Sequence, residues 1–510
     1  MNRLVLLTIF ISILSGLGVG ILLCTYDYPY YFERYNFLIK DFPKIFLLLS
    51  IISIVLILSK KGTLSIISIA VLLFYLSLSY SFIKSKIRLD ELIATSSSNT
   101  VVGKVKISFL DKIFVETSNK TVIVYLKKYD NEFTSLDSEI FVVGKSKHIY
   151  SYLTNKDRYG YFLYLFENNV PYIVYSEDDS IVESVESDSH FFKAANTLRQ
   201  DIFNKFSKFL PNTSFLSISL IIGESSGISK EFKENIINVG ISHIFSVSGF
   251  HVGVIVGAMV LFLGILRIPK LGQFILITIF LAIYSYIVGL KPPAVRASIL
   301  ASVILLTRSL NFYPNYLNVT LITGIIMLLI DPFLSIDIGF ILSFLAVIAI
   351  ILFANYINHM FIKIFNKNGI EPSSLTKGII SLFSVSFVSV LFTLPIIIIW
   401  FGSASLTGIL SSILLVPLSS LNITSGIISY ITSLFSETIA QLMFRSVNLL
   451  NIIFIIITNL FSKITFFINF KITNPLSGLI FLISYYILLM TTFVVLPRVR
   501  LKTQFLKQKV

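Results

Sequence analysis

Residues 220–253 read LIIGESSGISKEFKENIINVGISHIFSVSGFHVG, and the way oily and polar runs alternate in them decides the class of fold. Two of the five histidines, His243 and His251, lie here together with Glu224 and five glycines. IIGESSG is an apolar run that stops at small polar residues. KEFKENI follows Ser229, a residue type that caps helices, and is polar and helix-compatible. The chain then returns to an apolar span, set at 241–266, that carries His243, Ser246, Ser248 and His251. Ionisable groups inside a spanning helix cost about 2.5–3.5 kcal/mol each on insertion scales, so they face protein or a wet cavity. Something polar is expected to sit or pass here.

Composition agrees with a membrane setting. The 510 residues are 55% apolar and 13% charged, with a mean hydropathy of +0.85. An ordinary soluble protein has about 25% charged residues, so a soluble globular class is excluded. The net charge of +14 is unevenly placed. Residues 90–190 hold 16 acids and 10 bases, and the rest of the chain about 20 more bases than acids. Basic excess outside that segment is what cytoplasmic loops of membrane proteins collect. Cys24 is the single cysteine, so neither an intrachain disulfide nor a cysteine metal site is expected.

Taken in order, apolar segments at 4–24, 45–59 and 63–83 read as three crossings, the first a retained helix and not a cleaved leader. The basic turn Ser59-Lys60-Lys61-Gly62 belongs in the cytoplasm. From 89 to 188 the periodicity becomes two: VVGKVKISF, KTVIVYL, EIFVVGKSKHIY, PYIVY and SIVESV are strand candidates, enough for a small barrel on the outer side. Its tyrosines Tyr150, Tyr152, Tyr159, Tyr161 and Tyr164 admit two readings, as a base-stacking surface or as core and membrane-surface packing. The lysines Lys104, Lys106, Lys127, Lys128, Lys145 and Lys147 make a phosphate-binding surface only if they gather on one face. Residues 189–211 place Phe191, Ala195, Leu198, Ile202, Phe206 and Phe209 on one helical face, the pattern of a helix lying in the interface plane.

Nine further spans are predicted at 241–266, 271–290, 294–310, 317–331, 338–354, 378–400, 404–422, 446–467 and 476–496. Residues 213–222 and 423–436 read as too short or too polar to cross. About twelve spans put both termini in the cytoplasm, with the five bases of the tail on the expected side. The fold class is thus a polytopic α-helical membrane protein with one small extracytoplasmic β-barrel. Its domains are 1–88, 89–188, 189–211, 212–497 and a basic tail, 498–510.

GESSGIS with SHIFSVSGFHVG (223–229 and 242–253) resembles the signature of ComEC-type competence proteins, the DNA-uptake channel of the bacterial cytoplasmic membrane. The resemblance continues through GLKPPAVRAS (289–298), DPFLSIDIGFILSFLAV (331–347) and TLPIIIIWFGSASLTGILSSILLVPL (393–418), in the same order. It implies an oligonucleotide-binding-type barrel at 89–188, where NKDRYGYFLYLFENNVPY is similar to the segment before that domain's last strands. Single-stranded DNA and the bilayer are the implied partners, with a separate DNA receptor, a nuclease and a cytoplasmic motor or strand-binding protein. Two departures stand out. Glu224 and Ser225 occupy positions where aspartate and arginine are usual, so no fixed partner is expected for Glu224. Ile341 stands where a glutamine is common.

Channel-lining or gating roles fall on Glu224, His243, Ser246, Ser248, Gly249, His251, Arg296 and Asp337. The serines and histidines admit a plainer reading as helix–helix hydrogen bonders, and Gly249, Gly253 and Gly257 as a small-residue face for close helix approach. Arg296 follows Pro292-Pro293, where a helix starts with free N–H groups; arginine and N–H groups together suit a phosphate, and the alternative is a cation snorkelling to the interface. In the barrel, Tyr159 and Tyr161 join the lysines as strand contacts. ComEC-type proteins often end in a metallo-β-lactamase-like domain. Here no HxH cluster, phosphate loop or nucleophile elbow occurs, so a short form without enzymatic activity or cofactor is expected. A proton-coupled transporter of small solutes, relaying through His243, His251, Glu224 and Asp337, is the alternative.

Overall fold

Strand and helix boundaries follow directly from the sequence chemistry in the computed structural model, which describes residues 9–14, 16–17, 62–108, 112–117, 120–125, 139–153, 159–185, 190–224, 227–245, 247–289, 292–312, 315–366, 373–464, 466–469, 481, 484–486 and 488–489. The predicted span 45–59 and the tail 498–510 lie outside them, as does most of 4–24 and 476–496. The chain divides into two compact units. One takes the chain up to Ile228, Phe245–Ile341 and Asn422–Asn448; the other takes Ser229–Ile244, Leu342–Leu421 and the chain from Leu449.

In the first unit, helix α1 (Gly62–Ala94) overruns the predicted span 63–83 by three turns. Strands β1 (Thr100–Ser108), β2 (Lys112–Thr117), β3 (Lys120–Tyr125), β4 (Glu139–His148) and β5 (Tyr172–Val185) then close a barrel in the order β1-β2-β3-β5-β4. All neighbours are antiparallel except β3 and β5, which run parallel. Period-two alternation sends Val101, Val105, Ile113, Val115, Val122, Val124, Val142, Tyr172 and Val174 into one buried interior. Two strand readings needed correction. PYIVY and SIVESV are one long strand, β5, and KIFVET, absent from the strand candidates, is β2.

The barrel's outer wall is buried too. Helix α2 (Tyr159–Glu167) packs Phe162, Leu163, Leu165 and Phe166 against Leu89 and Leu92 of α1, Phe114 and Ile123 of the barrel, and Phe333 and Ile336. Phe333 belongs to the 3-10 turn Pro332–Ser335, which Asp331 caps by accepting from Phe333 N at 3.0 Å. The Arg88 guanidinium lies 3.4 Å from the Phe333 ring centre and donates to the Glu167 carbonyl at 3.0 Å, closing the open end of α2.

Helix α3 (His190–Phe209) is amphipathic as read. The described part of its apolar stripe is packed on protein: Ile202 and Phe206, with Leu198 and Phe209 beside them, meet Ile218, Ile221, Ile287, Phe444 and Val447. The eight-residue α4 (Ser214–Ile221) is buried and too short to cross.

The predicted span 241–266 is not one helix. A turn at Ser242–Phe245 ends, and the helix proper starts at Gly249. The remaining helices are α5 (Lys230–Val239), α6 (Gly249–Ile265), α7 (Lys270–Ile287), α8 (Pro292–Ser309), α9 (Tyr316–Ile330) and α10 (Ile338–Ala349). A π-helical turn, Ile350–Ala354, joins α10 to α11 (Asn355–Asn366); α12 (Ser374–Phe401), α13 (Thr407–Ser433) and α14 (Glu437–Phe461) follow. Residues 423–433, read as too polar to span, continue α13 past Pro417 without a break. Proline 417 costs that helix one ladder bond, and flanking turns carry it through. In the second unit Ser229 caps α5 by accepting from Phe232 N, and Gly240 ends it at a φ of 77°. Gly240 meets Gly408 backbone to backbone, a contact no side chain would allow. Ala349, Phe353, Ile357, Val388 and Phe392 form that unit's core.

Among the described residues, six helices are long and apolar enough to cross a membrane: 69–94, 270–287, 338–364, 374–401, 407–433 and 437–461. Only 24–39% of each apolar window is buried, so most of this oily surface faces outward, which suits lipid and not water. Helices α6 and α9 are apolar but shorter.

Candidate functional site

Alpha-helix ends generate most of the polar geometry. Ile221 ends α4, and its orphan carbonyl accepts from Tyr284 Oη at 2.9 Å. Gly223 then turns the chain at a φ of 75° and presents Glu224 to Arg199 of α3, with Nη2 to Oε2 at 3.0 Å. The acid for which the sequence offered no partner therefore has one, supplied by the amphipathic helix and not by its neighbour.

His251 is fully buried. Its Nδ1 accepts from Ser248 N at 3.3 Å and lies 3.2 Å from Ser248 Oγ. Ser248 is the N-cap of α6 and His251 its third residue, the place where a capping box puts Glu or Gln, so the imidazole reaches back to the cap as those side chains do. His243 belongs to the second unit and is exposed. Ser246 lies outside the described residues. Of the glycine face, a Cβ on Gly249 would come within 3.8 Å of Ala297, while Gly253 and Gly257 have nothing within 4 Å among the described residues.

Arg296 and Asp337, 41 residues apart, are brought together. Arg296 Nη1 donates to Asp337 Oδ2 at 3.0 Å, and Asp337 Oδ1 accepts from Phe340 N at 2.9 Å, capping α10. Arg296 is 5% exposed, which removes the snorkelling alternative. Its Nε and Nη2 are buried with no hydrogen-bond partner among the described residues. The Phe340 ring centre is 5.8 Å from the guanidinium carbon, and a Cβ on Gly339 would fall 3.2 Å from Nη2.

Glu167, at the end of α2, joins this pair and was missed by sequence reasoning, since a lone glutamate in FENNVP carries no signal. Burial first, then the neighbouring Asp337 and Asp331 carboxyls, push its carboxyl up to about 9; Arg296 opposes them. Among the described residues no group of three or more His, Cys, Asp or Glu side chains is arranged to hold a metal ion.

Of the described barrel lysines, Lys104 lies apart from Lys145 and Lys147. Lys104 is exposed and pairs in register with Glu116 on one side and Glu139 on the other. Lys145 and Lys147 lie six and eight residues further along β4, about 20 Å or more away at strand spacing. Lys147 Nζ sits 4.6 Å over the Tyr152 ring. Lys127 and Lys128 lie outside the described residues, and the side chains of Lys106 and Tyr159 are likewise outside the description. Tyr161 is half-buried: its hydroxyl is 2.9 Å from that of Tyr125, and its ring packs on Tyr152 and Tyr164. Among the described barrel residues Tyr175 is an exposed ring, 44% exposed, stacked on Tyr125 at 5.3 Å and opposite Lys145 in register.

No solved structure gives a significant match to this chain. "ComE operon protein 3" of Bacillus subtilis is 23% identical over 265 residues, 52% of this chain and 32% of the relative. "Recombination protein 2" of Haemophilus influenzae is 27% identical over 213 residues, 40% of this chain and 26% of the relative. The matched segments thus span about a third or less of the curated relatives. Residues 220–499, which carry Glu224, the capped α6 and the Arg296–Asp337 pair, match the family described as Competence protein, and with more than half its length inside that match this membrane protein belongs to the Competence protein family.

Proposed function

We propose that this protein is a conduit for single-stranded DNA across the bacterial cytoplasmic membrane in natural transformation, with about twelve spans, both termini in the cytoplasm and the barrel outside. Family membership supports a role in DNA uptake. The observation that carries the conduit is Arg296. A guanidinium with two donors that find no partner among the described residues, held in an apolar bundle beside the first turns of α8 and α10, is a preorganised place for a phosphate to pass. Hydrocarbon cannot hold a phosphate charge, so the path must be wet and lined by such donors. Outside, the oligonucleotide-binding-like barrel receives the strand, and exposed Tyr175 with Lys145 is its stacking surface, with a base–ring contact worth about 1–3 kcal/mol. A DNA receptor, a nuclease and a cytoplasmic motor or strand-binding protein act with it.

The transporter alternative needs mobile protons on His243, His251, Glu224 and Asp337. Both acids are engaged by arginines and His251 by its helix cap, so the conduit is favoured. A transformation assay with labelled DNA tests the reading. Deletion of the protein abolishes entry of strands into the cytoplasm, and Arg296→Gln lowers it at least tenfold with unchanged membrane insertion. Unchanged entry in the deletion strain overturns the uptake role; unchanged entry in Arg296→Gln alone removes that residue from the path.

A further inference from the structure

No acidic residue lies between Glu234 and Asp331, and five bases do. Three of the five, Arg267, Lys270 and Arg308, are exposed at one end of the first unit, where α6 turns into α7 and α8 into α9. The two turns are tied to each other, because Lys270 Nζ donates to Asn311 Oδ1 at 3.0 Å. Arg308 Nη2 donates to Tyr316 Oη at 2.7 Å. Among the described residues none of the three cations is paired with a carboxylate.

Both turns are fixed by their backbones. Ile268 N donates to the Leu263 carbonyl at 3.0 Å and Phe312 N to the Thr307 carbonyl at 3.0 Å, so α6 and α8 end in the same motif. The residue before each donor is left-handed, Arg267 at a φ of 57° and Asn311 at 58°. Glycine is the usual occupant of that position and asparagine tolerates it, whereas an arginine is strained there. Strain held at an exposed cation points to a use for its side chain. Apolar side chains flank the charges: Ile265, Leu271, Leu310 and Phe312 are each more than half exposed. Helix α7, long and apolar enough to cross a membrane, begins at Lys270 itself, which sets the turns at the edge of the lipid.

We propose that the paired turns are a preformed seat for the headgroup of an anionic phospholipid. The phosphodiester meets the ammonium of Lys270 and the guanidinium groups of Arg267 and Arg308, while the acyl chains cover the flanking apolar side chains. A nucleic-acid strand would satisfy the cations and leave Ile265, Leu271, Leu310 and Phe312 in water; a lipid covers both kinds of surface with one molecule. The bound lipid clasps the two turns from outside as Lys270 and Asn311 do from within, and so steadies α8, the helix that carries Arg296. A plainer role exists for cations at helix C-termini, where they complement the helix dipole. That role is indifferent to the lipid, and the seat is not. The seat stands whether or not the chain conducts DNA.

The full chain is placed in nanodiscs of phosphatidylcholine, alone or mixed with phosphatidylglycerol, and two readings are taken: the unfolding midpoint, and the lipid retained in native mass spectrometry. The wild type retains phosphatidylglycerol in preference to phosphatidylcholine and unfolds at a higher temperature in its presence. Each of Arg267→Gln, Lys270→Gln and Arg308→Gln lowers the affinity for phosphatidylglycerol about fivefold, the effect of one cation beside an anionic surface. The triple variant retains both lipids equally. Arg267→Gly suits the left-handed backbone, so it unfolds no earlier than the wild type in phosphatidylcholine and gains less from phosphatidylglycerol. Equal retention of the two lipids by the wild type overturns the seat. So does a triple variant that loses the same stability in both lipids, which would leave the cations as helix caps only. Displacement of phosphatidylglycerol by inorganic phosphate or by a single-stranded oligonucleotide at equal concentration overturns it too, in favour of a free anion or a strand.

Discussion

Arg199 and Glu224 form a pair that is 17% and 11% exposed at the side chains, so water screens it little. Removing one member leaves the other charge desolvated, which costs more than the pair contributes. Arg199→Gln is therefore expected to lower stability by about 3 kcal/mol, at the lower end for broken buried pairs because both groups keep some contact with solvent. Arg199→Gln with Glu224→Gln is expected to recover most of the loss. Thermal unfolding of the purified protein measures both; equal losses in the single and double variants would show that the pairing is incidental. None of this is visible in a local reading, since the partner of Glu224 lies 25 residues upstream on a helix that the pattern alone assigns to a membrane interface.

Single elements carry a second test. Helix α6 starts at Gly249 because Ser248 and His251 satisfy its first donors, not because apolar sequence begins there. An N-cap interaction is worth about 0.5–2 kcal/mol. Glutamine fills the same place in a capping box, so His251→Gln is expected to keep both fold and DNA uptake, while His251→Ala loses about 1 kcal/mol. Uptake lost in a stable His251→Gln variant would instead assign the imidazole itself a role in transport. The strands behave similarly: the alternation in VVGKVKISF was legible because one barrel face is buried, whereas KIFVET hid because both its faces are. Phe114 packs outward under α1 and α2 while Ile113 and Val115 point inward, so no polar residue marks the period.

For the whole molecule, the contact that matters most within the first unit is the docking of barrel and α2 on the turn at 332–335. Phe333 is 3% exposed, edge-on to Phe166 and under Arg88. Phe333→Ala is expected to cost about 3–5 kcal/mol as a large-to-small core change. Its signature should be local: faster amide exchange in α2 and β2, with the α12 core at 349–392 unaffected. Uniform loosening of both would mean that this contact does not hold the barrel.

By itself the sequence determined the membrane class, the apolar helices, a five-stranded barrel and the family, because hydropathy, period-two alternation and ordered motifs are local properties read along the chain. It also marked Arg296 and Asp337 one at a time. Only the tertiary structure joined Arg296 to Asp337, Glu224 to Arg199 and Glu167 to the cluster, and only it withdrew Tyr161 into packing while leaving Tyr175 in solvent. The reason is physical: which charge neutralises which depends on distances across helices, and those are set by how side chains fill the space between elements, not by their order in the chain.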